Sequence, residues 1–244
     1  MAGFTISPVT DGVIVAELDR GPENLWTLAD LRELTAVLEN PPEGAHVLRV
    51  RSVGEAFCLG RERGGTSTAP GVVRGEAETL VAVTRAFRTT RLVTVAEVQG
   101  SAAGFGVGVL AACDVAVAVA DARFFFPEVG IGLAPALVLA WLPRKIGERQ
   151  AFWLTATGEK ITAARAVELG LLNAVVAGPD ELTKDIDERI TALREHDPRI
   201  HTEIREMLQA GRSLDEDQAF ELSIDRLVVG SLRRLRRLGD ATNS

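Results

Sequence analysis

Cysteine, histidine and lysine are all scarce in this chain of 244 residues, which has two, three and three of them respectively. Cys58 and Cys113 lie far apart in apolar surroundings, which favours two buried free thiols and a reducing compartment over a disulfide framework. The three histidines form neither an HExxH motif nor a group with cysteine, so the sequence gives no support to a metal site. None of the lysines stands in a GK[ST] motif, which argues against a P-loop for nucleotide phosphates.

The sequence also lacks the marks of secreted, membrane-spanning and nucleic-acid-binding proteins. The first residues, MAGFTISPVTDG, have neither the basic flank nor the apolar stretch of a signal peptide, so we expect a cytoplasmic protein. The most apolar stretch, residues 101–120, contains Asp114 and several glycines, which favours a buried core over a membrane span. The 27 basic and 34 acidic side chains give a net charge of −7, which disfavours nucleic acid as a partner.

What is present is typical of a globular α/β protein, with 46% apolar and 25% charged residues. The pattern predicts a hairpin over residues 4–18 that turns at Asp11 and Gly12, then a helix begun by a capping box between Thr27 and Asp30. Strands are predicted at 46–53 and 92–99, with a glycine-rich candidate flap at 64–71 and a helix over 74–88 between them. A helix over 101–112 and strands at 115–120 and 122–126 follow.

The last part of the chain is predicted to be mostly helical. Helices are expected over 149–157 and 162–169, the second ending at Gly170, before a final strand at 173–176. Beyond residue 179 the pattern is almost wholly helical and ends in SLRRLRRLGD. We therefore predict two parts, a core over residues 1–178 and a C-terminal helical region over residues 179–244.

Three glycines, Gly104, Gly106 and Gly108, open the predicted helix that follows a strand, and they allow three interpretations. A dinucleotide site is the first, but the full GxGxxG pattern fails because Val109 stands where a glycine is needed. Close packing of helix on sheet is the second. The third is that free N–H groups at the start of the helix hold a developing negative oxygen, as in an oxyanion hole.

Two other segments could complete such a site. AFCLGRER (56–63) is predicted to end a strand at small residues and to present a second exposed amide. In FPEVGIGL (126–133) an acidic residue, Glu128, stands in apolar company, which is costly for a carboxylate unless it is paired or used. Glu128 is either a catalytic acid–base group or the partner of an arginine such as Arg144 or Arg149. For Glu97 a place on a polar face or a subunit contact is expected.

Six stretches, in this order and at this spacing, resemble the crotonase, or enoyl-CoA hydratase/isomerase, superfamily, and together they cover most of the chain. They are GPENLWTLADLREL (21–34), AFCLGRE (56–62), QGSAAGFGVGVLAACDVAVA (99–118), FPEVGIGLAP (126–135), LPRKIG (142–147) and LTATGEKITAARAVELGLLNAVV (154–176). The resemblance implies the α/β (α+β) class, with a spiral of ββα units and a C-terminal helical region that forms trimers. A homotrimer, or a hexamer built as a dimer of trimers, is therefore expected.

The resemblance further implies that acyl-CoA is the substrate and that two backbone amides hold its thioester carbonyl. By motif position these amides belong to Arg61 and Phe105, and Glu128 matches one of the two family glutamates that move protons. The second glutamate falls on Gly108. Two more departures, Phe105 where glycine is usual and GLAPALVLAWL in place of a glycine-rich GAGG segment, indicate an altered acyl pocket.

The coenzyme A part of the substrate is expected to border a turn and a strand end. The residues implied are Glu23, Asn24, Leu59, Arg61 and Arg63, of which the two arginines could meet phosphates. No separate cofactor is implied, because coenzyme A is part of the substrate.

Gly108 bears on the reaction, since hydration in this family uses both carboxylates to activate water. One glutamate is enough to move a proton between the α and γ carbons, so we predict a lyase or isomerase of fatty acid metabolism in which double-bond isomerisation is favoured. Hydration or decarboxylation through the same enolate stays open. The alternatives are an acyl-CoA-binding protein without catalysis and a nucleotide-dependent oxidoreductase.

Overall fold

The computed structural model describes residues 3–62 and 69–242, whose strands form two sheets. The six-stranded sheet has the order β1-β2-β3-β5-β7-β10 and the four-stranded sheet the order β4-β6-β8-β9. The strands are β1 (Phe4–Ile6), β2 (Val13–Leu18), β3 (Val47–Ser52), β4 (Ala56–Cys58), β5 (Val93–Val98), β6 (Ser101–Ala103), β7 (Val115–Val119), β8 (Arg123–Phe125), β9 (Ile161–Thr162) and β10 (Ala174–Val176). The described helices are α1 (Leu28–Glu39), α2 (Pro70–Thr89), α3 (Phe105–Ala112), α4 (Ala136–Leu139), α5 (Leu142–Ile146), α6 (Glu148–Thr157), α7 (Ala163–Glu168), α8 (Pro179–Arg194), α9 (Pro198–Ala210) and α10 (Glu216–Thr242).

The chain alternates between the two sheets. It passes through a strand of the large sheet, a strand of the small sheet and then a helix, first as β3, β4 and α2 and then as β5, β6 and α3. A third round, β7 and β8, ends in a short 3₁₀ helix over Pro127–Ile131. The strands β3, β5 and β7 are parallel to one another, as are β4, β6 and β8. This is a repeated ββα unit, and the predicted α/β class is confirmed.

Local sequence signals account for the first elements. Asp11 and Gly12, with φ of 50° and 77°, form the tight turn between β1 and β2, so the predicted hairpin is confirmed. At the start of α1 the Thr27 side chain accepts from the Asp30 N–H, and the Asp30 carboxylate accepts from the Thr27 N–H. Arg20 adds two hydrogen bonds to the same carboxylate, which anchors the cap to the strand end before it.

Two predicted boundaries were wrong. Residues 101–103 form the strand β6 rather than the first turn of a helix, because Ser101 and Ala102 pair with β4 on one side and Ala102 and Ala103 pair with β8 on the other. Helix α2 begins at Pro70, four residues early, since proline suits the first helical position, where no N–H bond is needed. Of the candidate flap, residues 64–68 lie outside the described part and Pro70 and Gly71 belong to α2.

The chain divides into two compact units, residues 1–198 and residues 199–244. Helix α8 belongs to the first unit and packs on the large sheet with three buried side chains, Leu182, Ile186 and Ile190. The second unit contains α10 and most of α9, and both helices carry exposed apolar side chains. No described helix is both long and apolar enough to cross a membrane.

An ion pair inside the first unit holds α8 to the sheet. The Glu97 carboxylate on β5 accepts a hydrogen bond of 2.6 Å from Arg49 Nε on β3 and one of 3.2 Å from the Thr183 hydroxyl on α8. Arg49 also pairs with Asp187 at 2.8 Å. Burial lowers the pKa of the Arg49 guanidinium, but the hydrogen bonds and negative charges of Glu97 and Asp187 outweigh burial, so that the pKa is raised overall. Glu97 is thus buried in the first unit, and the expected polar-face position is corrected.

We predict that Glu97→Gln lowers the free energy of unfolding by about 3 kcal/mol, because the guanidinium of Arg49 stays buried with one fewer anionic partner. The matched control is Glu78→Gln, whose ion pair with Arg74 is exposed, with side-chain exposures of 62% and 80%. That change should cost about 0.5 kcal/mol or less. Urea unfolding of the two variants measures the difference, and equal losses would contradict a special role for the buried pair.

Candidate active site

Three adjacent parallel strands of the small sheet end at one edge, and each leads into one of the predicted site residues. Arg61 follows the end of β4 at Cys58, Phe105 follows the end of β6 at Ala103, and Glu128 follows the end of β8 at Phe125. Parallel strands carry their carboxyl ends to the same edge of a sheet, where ligand sites of α/β proteins usually form. The alternation of strands thus brings the three segments to one edge of the sheet. More than forty residues of sequence separate the first segment, after β4, from the second, after β6.

Two glycines allow the first and second of these segments to touch through their backbones. A Cβ on Gly106 would lie 2.1 Å from the carbonyl oxygen of Cys58, and one on Gly100 would lie 1.9 Å from that of Glu55. Real Cβ atoms do not approach an oxygen so closely, so only glycine permits this packing. The close-packing interpretation of the glycine series therefore holds at Gly106, and the start of α3 lies directly against the end of β4.

The Glu128 carboxylate lies beside the start of the same helix. Its Oε1 would be 2.8 Å from a Cβ on Gly104, and its Oε2 is buried. Gly104 caps α3 with φ of 50°, a left-handed value that suits glycine, and its N–H donates to the Phe125 carbonyl at 3.0 Å. Glu128 itself stands in the 3₁₀ helix just after β8. The acid and the helix terminus are thereby held as neighbours.

Backbone pairing sets the direction of the Arg61 amide. Trp26 donates its N–H to the Gly60 carbonyl at 3.2 Å, and Glu62 donates its N–H to the Trp26 carbonyl at 2.8 Å. Alternation along an extended chain then turns the N–H of Arg61 away from Trp26. The N–H of Phe105 is the first of helix α3 and has no acceptor within the helix.

Gly108, one turn further along α3, borders two aromatic rings. A Cβ at this position would lie 3.8 Å from Cζ2 of Trp141 and 3.9 Å from Cδ2 of Phe105, which are ordinary contact distances. Its N–H donates to the Gly104 carbonyl at 3.2 Å, so the two glycines lie on one face of the helix. Gly106 points the opposite way, toward β4. The position expected to hold a second glutamate is therefore an apolar recess.

Comparisons with known proteins agree with this arrangement. The sequence profile of the enoyl-CoA hydratase/isomerase family matches residues 9–229. The chain belongs to this family. A relative in Rhodobacter capsulatus, described as a probable enoyl-CoA hydratase, is 35% identical over 180 residues, which are 70% of this chain and 68% of that protein. The resemblance predicted from the motifs is confirmed, and the chain is an enzyme of the hydratase/isomerase type.

Solved structures show the same fold. The crystal structure of an enoyl-CoA hydratase from Mycobacterium smegmatis has a TM-score of 0.88 at 23% identity and covers 94% of this chain and 91% of that one. An enoyl-CoA hydratase/isomerase family protein from Silicibacter pomeroyi also has a TM-score of 0.88, at 24% identity, and covers 94% and 98% of the two chains. The predicted crotonase-like architecture is confirmed.

The residues predicted to border coenzyme A differ from one another in their exposure to solvent. Glu23 is exposed, and its carbonyl accepts from the Leu59 N–H at 2.8 Å, so the two segments are joined. Asn24 is fully buried, with φ of 48°, and its amide donates to the Val53 and Ala56 carbonyls at 2.7 Å. The Asn24 side chain thus supports the segment before β4 and offers no surface to a ligand.

The two arginines predicted to meet coenzyme A phosphates are Arg61 and Arg63, and the structure describes only the first. The Arg61 side chain is 30% exposed and pairs with Glu76 on α2 at 3.3 Å, a contact that no local sequence pattern indicates. Arg63 lies outside the described residues. Both assignments to coenzyme A phosphates stay predictions.

Cys58, directly before the Arg61 segment, is a core residue. It is fully buried, and burial raises the pKa of its thiol to about 12, although hydrogen bonds with the backbone of Gly60 and Trp26 lower it. Both cysteines are free and buried, as predicted.

In the described ranges, no group of three or more histidine, cysteine, aspartate or glutamate side chains is placed to hold a metal ion.

We predict opposite effects on stability for two substitutions on the same helix. Gly106→Ala should lower the free energy of unfolding by about 2 kcal/mol, since overpacking against the Cys58 carbonyl outweighs the better helix propensity of alanine. Gly108→Ala should raise it by up to about 1 kcal/mol, because its Cβ has room. Urea denaturation compares the two variants with the parent protein. Equal effects of the two changes would show that α3 is not seated on β4 as described.

Proposed function

We propose that this enzyme moves a carbon–carbon double bond within an acyl-CoA thioester, using Glu128 as its single acid–base group. The observation that carries the proposal is the pairing of one carboxylate at Gly104 with an apolar recess at Gly108. A water molecule activated by two acids needs a second carboxylate on this face, and the described residues around Gly108 contribute aromatic ring edges instead. Proton transfer between two carbons needs only one acid–base group.

In the proposed step, the Glu128 carboxylate removes a proton from the α carbon of a 3-enoyl thioester. The electron pair of the C–H bond moves into the thioester, and negative charge develops on the carbonyl oxygen of a dienolate. The protonated Glu128 then returns the proton to the γ carbon, the double bond forms between the α and β carbons, and a 2-enoyl thioester results. Positioned proton transfer of this kind typically accelerates a reaction by about 10²–10⁴-fold.

The charge on the oxygen would be held by the N–H groups of Arg61 and Phe105. What supports this is that the Arg61 amide is turned away from its pairing strand and that the Phe105 amide opens α3. The contact at Gly106 keeps the two segments together without side chains between them. A preorganised donor of this type is typically worth about 2.7–4 kcal/mol of transition-state stabilisation.

Coenzyme A is proposed to lie along the segments that lead to the oxyanion donors. Support comes from the hydrogen bond between the Leu59 N–H and the Glu23 carbonyl, which joins the two segments two residues before Arg61. The Arg61 side chain could exchange its partly exposed ion pair with Glu76 for a phosphate. The reaction as written balances without any further cofactor.

The chain is also proposed to assemble as a homotrimer, or as a hexamer made of two trimers. Exposed apolar side chains recur along both helices of the second unit. On α9 they are Ile200, Ile204 and Leu208, and on α10 they are Phe220, Ile224, Leu227, Val228, Val229, Leu232 and Leu235. Such stripes at helical spacing usually pack against a partner.

A second candidate is an acyl-CoA-binding protein of the same fold that does not turn its ligand over. The absence of a carboxylate at Gly108 is the observation that favours it. Calorimetry separates the two functions, because binding of an acyl-CoA without product from 2-enoyl and 3-enoyl thioesters is expected only of the binding protein.

We predict that the purified enzyme converts a 3-enoyl-CoA to the 2-enoyl isomer and that Glu128→Gln lowers kcat by about 10²–10⁴-fold. The amide keeps the shape of the side chain but cannot carry the proton. Ultraviolet absorption of the conjugated thioester measures the product. Glu168→Gln, an exposed acid with 64% side-chain exposure, serves as the control and should keep the parent rate. Full activity of the Glu128 variant would remove this residue from the mechanism.

We further predict that Gly108→Glu, combined with Trp141→Ala to make room, creates hydration of a short 2-enoyl-CoA. The added carboxylate would face Glu128 across the substrate and could hold a water molecule. Gly108→Gln in the same Trp141→Ala background is the control, because it has the same shape without the charge. If the Glu and Gln variants fold and hydrate at the same rate, a second carboxylate is not what the parent site lacks.

A further inference from the structure

We infer that Trp141 determines which acyl groups this site accepts, by forming with Phe105 an apolar wall over Gly108 on which the distal acyl carbons pack. The inference deepens the proposed function and rests on it, since it takes the thioester to lie at the start of α3. It assigns a specificity-determining role to a residue that has no part in the proton transfer.

Trp141 and Glu128 border the same face of helix α3. Gly104 and Gly108 are four residues apart, and a hydrogen bond of 3.2 Å between their backbones places them on one face of α3. The carboxylate of Glu128 lies over the first of these glycines and the ring edge of Trp141 over the second. The acid and the indole therefore border two positions on this face whose backbones are about one helical turn, or about 5.4 Å, apart.

The distance between these two positions determines which acyl carbons lie level with Trp141. Glu128 must reach the α and γ carbons, where the proton leaves and returns. A further 5.4 Å corresponds to roughly four carbon–carbon bonds of about 1.5 Å each. The Trp141 wall thus lies level with acyl carbons beyond the γ carbon, and a four-carbon acyl group ends before it.

The solvent exposure of Trp141 suits a ligand contact better than the exposure of the other two tryptophans does. Trp26 is fully buried, with 1% exposure, and Trp153 is 55% exposed on α6. Trp141 is half-buried: it packs against the hydrophobic core, and its Cζ2 edge reaches the recess left by Gly108. Phe105 borders the same recess from one turn earlier on α3, so two aromatic edges meet where a side chain is lacking.

The chemistry of the recess defines the ligand class. Two aromatic edges and a glycine Cα offer apolar surface, which favours hydrocarbon over water. Each methylene that is buried there contributes about 0.8 kcal/mol. The site is therefore built for acyl groups with an apolar segment of about four carbons beyond the γ carbon, that is, for medium chains in preference to four-carbon groups.

The test compares binding of two saturated, unreactive probes, butanoyl-CoA and octanoyl-CoA, by calorimetry. For the parent protein, octanoyl-CoA should bind at least about 30-fold more tightly than butanoyl-CoA, because its four extra methylenes reach the wall. Trp141→Ala should lower this ratio about tenfold and leave the affinity for butanoyl-CoA within twofold. Trp141→Phe, which keeps an aromatic ring, should retain most of the ratio.

Two more variants sharpen the experiment. Trp153→Ala removes the exposed indole on α6 and should change neither affinity. Gly108→Leu fills the recess from the helix side, where the first side-chain atom fits without strain, and should weaken octanoyl-CoA selectively. Circular dichroism and thermal melting establish that each variant is folded.

The outcomes separate this inference from the function on which it rests. An unchanged ratio in a folded Trp141→Ala protein that still isomerises 3-enoyl-CoA overturns the inference alone. A ratio that falls as expected in a protein without isomerase activity supports the acyl wall and rejects the proposed reaction. Failure of the parent protein to bind either probe would overturn both.

Discussion

The close contact between helix α3 and the end of β4 is the constraint on which the rest of the site depends. With a Cβ position only 2.1 Å from the Cys58 carbonyl, residue 106 has to be glycine for the helix to begin where it does. Because α3 begins there, its first amides lie beside the segment that carries the Arg61 amide. The third strand of the small sheet, β8, ends at the same edge and places Glu128 beside them. Positioning comes from backbone packing, and few side chains are needed to hold it.

The alternation between two sheets explains how a short chain can build such a site. Each ββα round adds one strand to the large sheet, which contributes much of the buried core, and one to the small sheet, which ends at the site. The large sheet is stiffened on its α8 side by the pairing of Arg49 with Glu97 and Asp187. Variation at the ends of the small-sheet strands can therefore change the chemistry while the core is kept. Gly108 lies on the helix that follows one of these strand ends, and Trp141 contacts it from outside the sheet.

Much of the fold was predictable because its signals are local. The capping box of Thr27 and Asp30 and the Asp11–Gly12 turn depend on residues at most three apart, and the order and spacing of the six motifs predicted the family. The strand β6 was missed, since Ala102 and Ala103 suit a helix equally well and only their pairing with distant strands decides. For the same reason the roles of Asn24 and Glu97 escaped prediction. Their partners lie 29, 32 and 48 residues away, and no local pattern indicates them.

The state of Cys58 has a consequence for the lifetime of the enzyme in the presence of its proposed substrate. A thiolate next to a thioester exchanges with it, transferring the acyl group to the protein and releasing coenzyme A. Cys58 stands three residues before Arg61, close to where such an ester would lie. With a thiol pKa of about 12 and no exposed surface, it stays protonated at neutral pH and does not compete for the acyl group. The packing that seats α3 would thus also protect the enzyme from acylation by the thioester proposed to bind here.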